Sequence, residues 1–219
     1  MLLDREEALR CLGAGAEAPE ELCLAVEDVA RALEAAVQPA FVYRVFDLER
    51  RQEGMLLRGA EVLLPGDLAA TVLKDCTRAA LLACTVGSRF DAMLLAEQAR
   101  DMARAVILDA CGSALVEAGC DEAERQLAAR LPGSFLTDRF SPGYGDLPLE
   151  LQRDICAVLD ARRRLGLHVT DSLLLNPVKS VTAVIGIAER PQPARIRGCA
   201  HCPLRERCTL RKGGNHCGL

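Results

Sequence analysis

The chain has 219 residues and a mass of 23.6 kDa, and half of its residues are hydrophobic, enough for one large core or a core with an appendage. Only 3% are aromatic and none is Trp, which argues against stacking platforms for nucleobases. A net charge of -4 and a pI near 5.5 argue against a general attraction to nucleic acid or anionic membrane.

Seven Lys/Arg against two Asp/Glu from Glu189 to Leu219 give the tail a charge of +5. The body, with 20 against 29, carries -9. Met1-Leu2-Leu3-Asp4-Arg5-Glu6-Glu7 lacks the basic start and apolar run of a signal peptide, and no apolar stretch reaches about 18 residues. A cytoplasmic protein is expected, in which eleven Cys argue against a disulfide framework. Cys11, Cys23, Cys76, Cys84, Cys111, Cys120 and Cys156 are scattered through apolar patterns, mostly as small core residues.

In chain order, Gly13-Ala14-Gly15-Ala16 fails as a phosphate loop because no strand precedes it and no third glycine completes it. Leu22, Val26, Val29, Ala30, Leu33 and Val37 then predict an amphipathic helix over 20–37, with Glu20 and Glu21 at its N-terminus. Alternation from Ala40 to Leu48 predicts a strand, turning at Arg50–Gly54 into a second strand over Met55–Leu64. Pro65-Gly66-Asp67 opens a short helix to about Lys74, expected to be capped by Asp67. Ala79 to Val86 reads as a buried strand.

Between Arg89 and Leu131 there is no proline, and a helical stripe runs from Met93 to Ala118, the longest such pattern in the chain. Gly112 and Gly119 interrupt it at about 1 kcal/mol each against Ala, as positions of close approach by another helix or a ligand. Asp109 and Glu117 on this helix lie about 80° apart around its axis. Each reads either as a solvated edge of the stripe or as a carboxylate facing a ligand.

Arg139-Phe140-Ser141-Pro142-Gly143-Tyr144-Gly145-Asp146-Leu147-Pro148 follows, whose prolines and glycines forbid a continuous helix or central strand. It reads as a polar binding loop. Leu147 to Leu159 resumes helical spacing and ends in Arg162-Arg163-Arg164, suited to a helix C-terminus. His168, without a metal-ligand partner at helical spacing, reads as a structural histidine. An irregular approach through Asn176-Pro177 leads to a core strand over Val181–Ala188, and Pro191-Gln192-Pro193 ends the domain. No Ser/His/Asp order, nucleophile elbow or Walker loop appears.

The tail places Cys199, Cys202, Cys208 and Cys217 in a C-x2-C-x5-C-x8-C series. Thiolates at this density point to a metal, because a short segment without a core can fold by closing around zinc or an iron-sulfur cluster. His201 or His216 could replace one thiolate in a zinc site. Spacing alone does not decide the metal.

Arg139 to Tyr144 is similar to the R-x-x-P-G-Y signature of the activation domain of cobalamin-dependent methionine synthase, the module that binds S-adenosylmethionine. Ser172, Pro177, Ser180 and Val181 resemble the S-x-x-x-x-P-x-x-S-V segment of that domain, and Ala110 to Glu117 resembles the helix carrying its acidic ligand. The three motifs span roughly residues 100 to 188, in order, and the whole chain resembles stand-alone versions of the domain.

The resemblance implies an α+β fold of a twisted, mainly antiparallel sheet with flanking helices and one long central helix. The expected division is a domain over 1–190, made of an N-terminal helix and strand region (1–75) and a motif-bearing core (76–190), followed by the Cys-rich tail over 191–219. The resemblance also implies that Arg139 and Glu117 hold the amino-acid end of S-adenosylmethionine, with Tyr144 at the same pocket and Ser141, Pro142, Gly143 and Gly145 contributing through the turn. A guanidinium fork takes a carboxylate, a carboxylate accepts from an ammonium, and an aromatic face meets a sulfonium. The implied function is that of an accessory subunit for reductive methylation of cob(II)alamin on a separate cobalamin-binding synthase subunit, with a reductase or flavodoxin-like electron donor. Such a subunit is expected to be inactive without its partner.

The chain departs from the family after Ala188, where an aromatic-rich segment of the larger members gives way to Glu189-Arg190-Pro191-Gln192-Pro193 and the Cys tail. An iron-sulfur cluster that supplies or relays the electron is the favoured reading of the tail, with structural zinc as the alternative. Two rival functions are a corrinoid-protein adapter without S-adenosylmethionine binding and a metal-tail regulatory module.

Overall fold

The structure is a computed structural model that describes residues 3–14 and 18–192. The four tail cysteines, and with them any metal they hold, lie outside the described residues.

The fold is α+β, with a six-stranded sheet in the order β3-β2-β1-β4-β8-β5 in which every pairing is antiparallel. Its strands are β1 (Ala40–Arg51), β2 (Gly54–Leu57), β3 (Val62–Leu64), β4 (Cys76–Thr85), β5 (Phe135–Leu136) and β8 (Ser180–Ala188). A two-stranded ladder, β6 (His168–Val169) with β7 (Leu175–Asn176), precedes β8 and leaves His168 exposed.

The centre of the sheet is apolar on both faces because helices cover both. Along β4, Ala80, Leu82 and Cys84 point to one core while Ala79, Leu81 and Ala83 point to the other, the period of two expected of a strand. The first core is roofed by α1 (Arg5–Cys11), α2 (Glu20–Ala36), α4 (Ser88–Gln98) and α5 (Met102–Arg130). The second is closed by α3 (Gly66–Val72), α6 (Leu151–Val158) and α7 (Ala161–Leu165). Gly186 on β8 has no room for a side chain: a Cβ there would stand 2.6 Å from Cys76 Sγ and 2.8 Å from Leu73 Cδ2.

Four local expectations need correction. The strand expected over 55–64 is a second hairpin. The chain reverses through Gly59 and Glu61, both at positive φ, and the N–H groups of Ala60 and Glu61 both donate to the Leu57 carbonyl. The long helical stripe breaks at Ala99–Asp101, where Asp101 takes an extended backbone and its carboxylate accepts from Arg104 N at 3.1 Å, opening α5. Helix α5 still runs 29 residues, about 44 Å, straight through Gly112 and Gly119. Likewise α6 stops before the basic run, because Asp160 is left-handed at φ 52°, and Arg162–Arg164 sit in the separate α7.

The fourth correction concerns the cap of α3. Asp67 is inside the helix, and the first N–H groups of α3 find their acceptor 79 residues away, in the carboxylate of Asp146. Helix α1 has no counterpart among the expected elements. It is capped by Asp4 and fastened to α2 by Arg5, which pairs with Glu34 at 2.8 Å and Glu27 at 3.0 Å.

Candidate functional site

The loop that follows β5 is anchored at its start by Phe140, whose N–H and C=O exchange hydrogen bonds with Val184 of β8 at 3.0 and 2.8 Å. This bridge places Arg139 beside α5. Among the described residues Arg139 is the one buried side chain with a formal charge, at 8% exposure. Its Nη2 pairs with Glu117, and its Nη1 pairs with Asp121 at 2.7 Å and with Glu124.

Positions 117, 121 and 124 follow the i, i+4, i+7 spacing, so a single face of α5 presents all three carboxylates to one guanidinium. Burial works against the Arg139 charge, but attraction to Glu117 and Glu124 and their hydrogen bonds outweigh it, and the guanidinium is held well above its ordinary pKa. Three carboxylates around one cation leave the cluster with two excess negative charges. The partners differ in exposure: the Asp121 side chain is 65% exposed, Glu117 43% and Glu124 24%.

Asp121 and Glu124 are the residues that sequence reasoning missed. Their signal was present in the repeat of acids at 117, 121 and 124 along one helical face.

The turn itself is braced internally. Gly143 N donates to Leu147 O at 2.8 Å, Tyr144 N to Ser141 O at 3.0 Å, and Leu147 N to Tyr144 O at 2.9 Å. Gly143 and Gly145 stand at φ 91° and 55°, conformations that favour glycine. Pro142 is buried, Ser141 half-buried, and Tyr144 exposed at 53% on the crest of the loop. The N–H groups of Gly143 and Tyr144 are thus engaged within the turn. Arg139 and Glu117 are brought into direct contact, and Tyr144 stands outside that cluster on the surface.

The third motif reaches the same helix two turns earlier. Lys179 Nζ lies 2.9 Å from Asp109 Oδ2 and donates to Ser113 Oγ at 2.9 Å. Ser180 Oγ donates to the Pro177 carbonyl at 2.6 Å and lies 2.7 Å from Thr85 Oγ1, tying the approach to β8 against β4. Helix α5 is therefore a spine that both flanking motifs grip, and Asp109 and Glu117 are half-exposed carboxylates that each hold a cation.

A cleft of about 270 Å³ lies elsewhere, between the β1–β2 turn at Arg50–Gly54 and the start of α3 at Gly66 and Asp67. Among the described residues no group of three or more His, Cys, Asp or Glu is arranged to hold a metal ion, and no helix is long and apolar enough to cross a membrane.

No protein-family model matches the chain, and no curated protein matches it in sequence. Its fold, however, has a counterpart among solved structures. One solved structure it resembles is the crystal structure of the MetH reactivation domain bound to AdoHcy, at a TM-score of 0.64 and 17% identity, over 94% of this chain and 77% of that one. At that identity the likeness assigns the fold.

Proposed function

We propose that the chain is an accessory activation subunit that binds S-adenosylmethionine and supports reductive methylation of cob(II)alamin carried by a separate cobalamin-dependent methionine synthase. The observation that carries this reading is the contact between Arg139 of the R-x-x-P-G-Y turn and Glu117 of α5, within the fold of a domain crystallised with AdoHcy. S-adenosylmethionine supplies the methyl group: one electron reduces cob(II)alamin, the sulfonium methyl passes to the reduced cobalt, and S-adenosylhomocysteine remains. Positioning is what such a protein contributes, and the reading assigns no general base.

The ligand's amino-acid end then meets a site that is already charged. Glu117 accepts from the ammonium, and the ligand carboxylate takes the place of Asp121 on Arg139, since Asp121 is the most exposed of the three partners and the cheapest to release into water. Tyr144, on the crest of the same turn, offers a ring face to the sulfonium or adenine. In this reading residues 1–190 form the ligand-binding unit, and Cys199, Cys202, Cys208 and Cys217 hold an iron-sulfur cluster that delivers or relays the electron, received from a reductase or flavodoxin-like donor.

Calorimetry of wild type and Arg139→Ala with S-adenosylmethionine tests the reading. Loss of a charge-assisted pair is expected to weaken binding about 10- to 100-fold. Equal affinities would remove Arg139 from the site. A second reading, an adapter of a corrinoid protein without a ligand, is favoured by the engagement of both terminal nitrogens of Arg139 by α5 carboxylates. Absence of binding by wild type selects it.

A further inference from the structure

We propose that Asp146 is a positioning residue, a latch that fastens the Arg139–Tyr144 turn to the start of α3 and keeps the turn in its ligand-binding shape. The inference rests on the reading of this turn as the ligand-binding wall. It goes beyond that reading in assigning the turn's geometry to a carboxylate that touches neither Arg139 nor, by this account, the ligand.

Two independent observations carry it. First, the Asp146 carboxylate accepts from Asp67 N at 2.5 Å and from Leu68 N at 3.0 Å, contacts made across 79 and 78 residues of chain. Neither end of this contact is imposed by local sequence. The opening N–H groups of α3 have no side-chain acceptor from the helix's own N-cap, Pro65, so Asp146 satisfies donors that would otherwise be left to water. Second, both surfaces are shaped for the approach. Gly66 stands at φ 92°, and a Cβ there would fall 2.6 Å from the Asp146 carboxylate, while Gly145 lies against Leu68, with 3.3 Å between its would-be Cβ and Leu68 Cδ2. The hydrogen bonds from Leu68 N and Asp67 N also hold the Asp146 carboxyl below the usual carboxylate range, as expected for an ionised acceptor.

The consequence for the turn follows from connectivity. Between Arg139 and Asp146 the chain is pinned to β8 at one end by the Phe140–Val184 bridge and to α3 at the other by Asp146. Tyr144 rides between these two pins. With one released, the internal bonds of Gly143, Tyr144 and Leu147 must hold the turn alone, and its ligand-ready conformer becomes a smaller share of the population.

The test uses the full chain and three variants: Asp146→Ala, Asp146→Asn, which keeps one amide oxygen as an acceptor, and Gly66→Ala, which crowds the carboxylate from the other side. If the ready conformer falls to about a tenth of its population, affinity for S-adenosylmethionine in Asp146→Ala falls about tenfold. Asp146→Asn should recover some of that loss, and Gly66→Ala should show a similar loss. Amide exchange at Gly143, Tyr144 and Leu147 should quicken in Asp146→Ala while the protection of β4 and β8 is retained. Wild-type affinity in Asp146→Ala overturns the latch, as does weakened binding with unchanged exchange in the turn, which would mean that Asp146 acts on the ligand itself. If wild type binds no S-adenosylmethionine, the proposed ligand fails. The latch then stands or falls on exchange alone: unchanged protection of the turn in Asp146→Ala overturns it.

Discussion

A guanidinium buried as deeply as Arg139 would cost several kcal/mol if it stood alone, and its three carboxylates are what make the position tolerable. The same chemistry acts at Arg5 and Glu34, with a cleaner pH signature. Burial raises the Glu34 pKa, but the hydrogen bond from Arg5 and that from Leu3 N outweigh it, and the net shift is downward. A folded-state pKa below the unfolded value means that the stabilisation is complete above about pH 4.5 and is lost as pH falls through the lower folded value. Glu34→Gln is therefore expected to be less stable than wild type by about 1 kcal/mol at pH 7, with the difference closing in acid, as thermal melts at pH 7 and below pH 4 would record. A constant gap across that range would contradict the pairing.

Helix α5 sets the scale of the elements, because its small residues decide what can lie against it. Gly112 faces Phe90 of α4, whose ring edge occupies the space a Cβ would need, and Gly119 faces Pro39 and Cys84, each 2.7 Å from a would-be Cβ. Gly112→Ala gains about 1 kcal/mol of helix propensity but forces the Phe90 ring out of its place, an overpacking that typically costs about 1–3 kcal/mol. The expected result is a net lowering of the melting temperature by a few degrees, measured by differential scanning calorimetry; a more stable variant would mean that Phe90 repacks freely.

At the same scale the legibility of the sequence is uneven, for physical reasons. Helix α2 follows from its helical periodicity, and strands β4 and β8 follow from unbroken apolar runs, because the helix buries one face and the strands bury both. The break at Asp101 is encoded by a single N-cap side chain within a stripe whose apolar spacing barely falters, so the pattern hides it. The turn from Arg139 to Asp146 is legible as a candidate site from its composition. The acids at 117, 121 and 124 mark one face of α5, but that Arg139 meets this face, and that Asp146 caps α3, depends on which distant surfaces come together, and no local pattern carries that information.

For the whole molecule, charge and cysteine divide the chain unequally: a body of -9 and a tail of +5 that contains four of the eleven cysteines. The body thiols Cys76, Cys111 and Cys156 are pushed up to about 11 by burial, which leaves them inert packing residues. Metal chemistry accordingly belongs to the tail in the proposed function. Anaerobic purification of the full chain is expected to give a brown protein carrying iron and sulfide. Colourless protein with stoichiometric zinc would sink the redox role.

The pairing of β4 with β8 has a temporal side. These central strands join Thr85 to Ser180 and Cys76 to Ala188, so each bond of the ladder closes a loop of roughly a hundred residues. Both cores draw residues from β4 and from β8, so each core is completed only when β8 pairs with β4. During synthesis, then, the central ladder and both cores are expected to be completed only once β8 has left the ribosome. Closing that ladder late is expected to slow folding, because the loop must be closed before its distant contacts form.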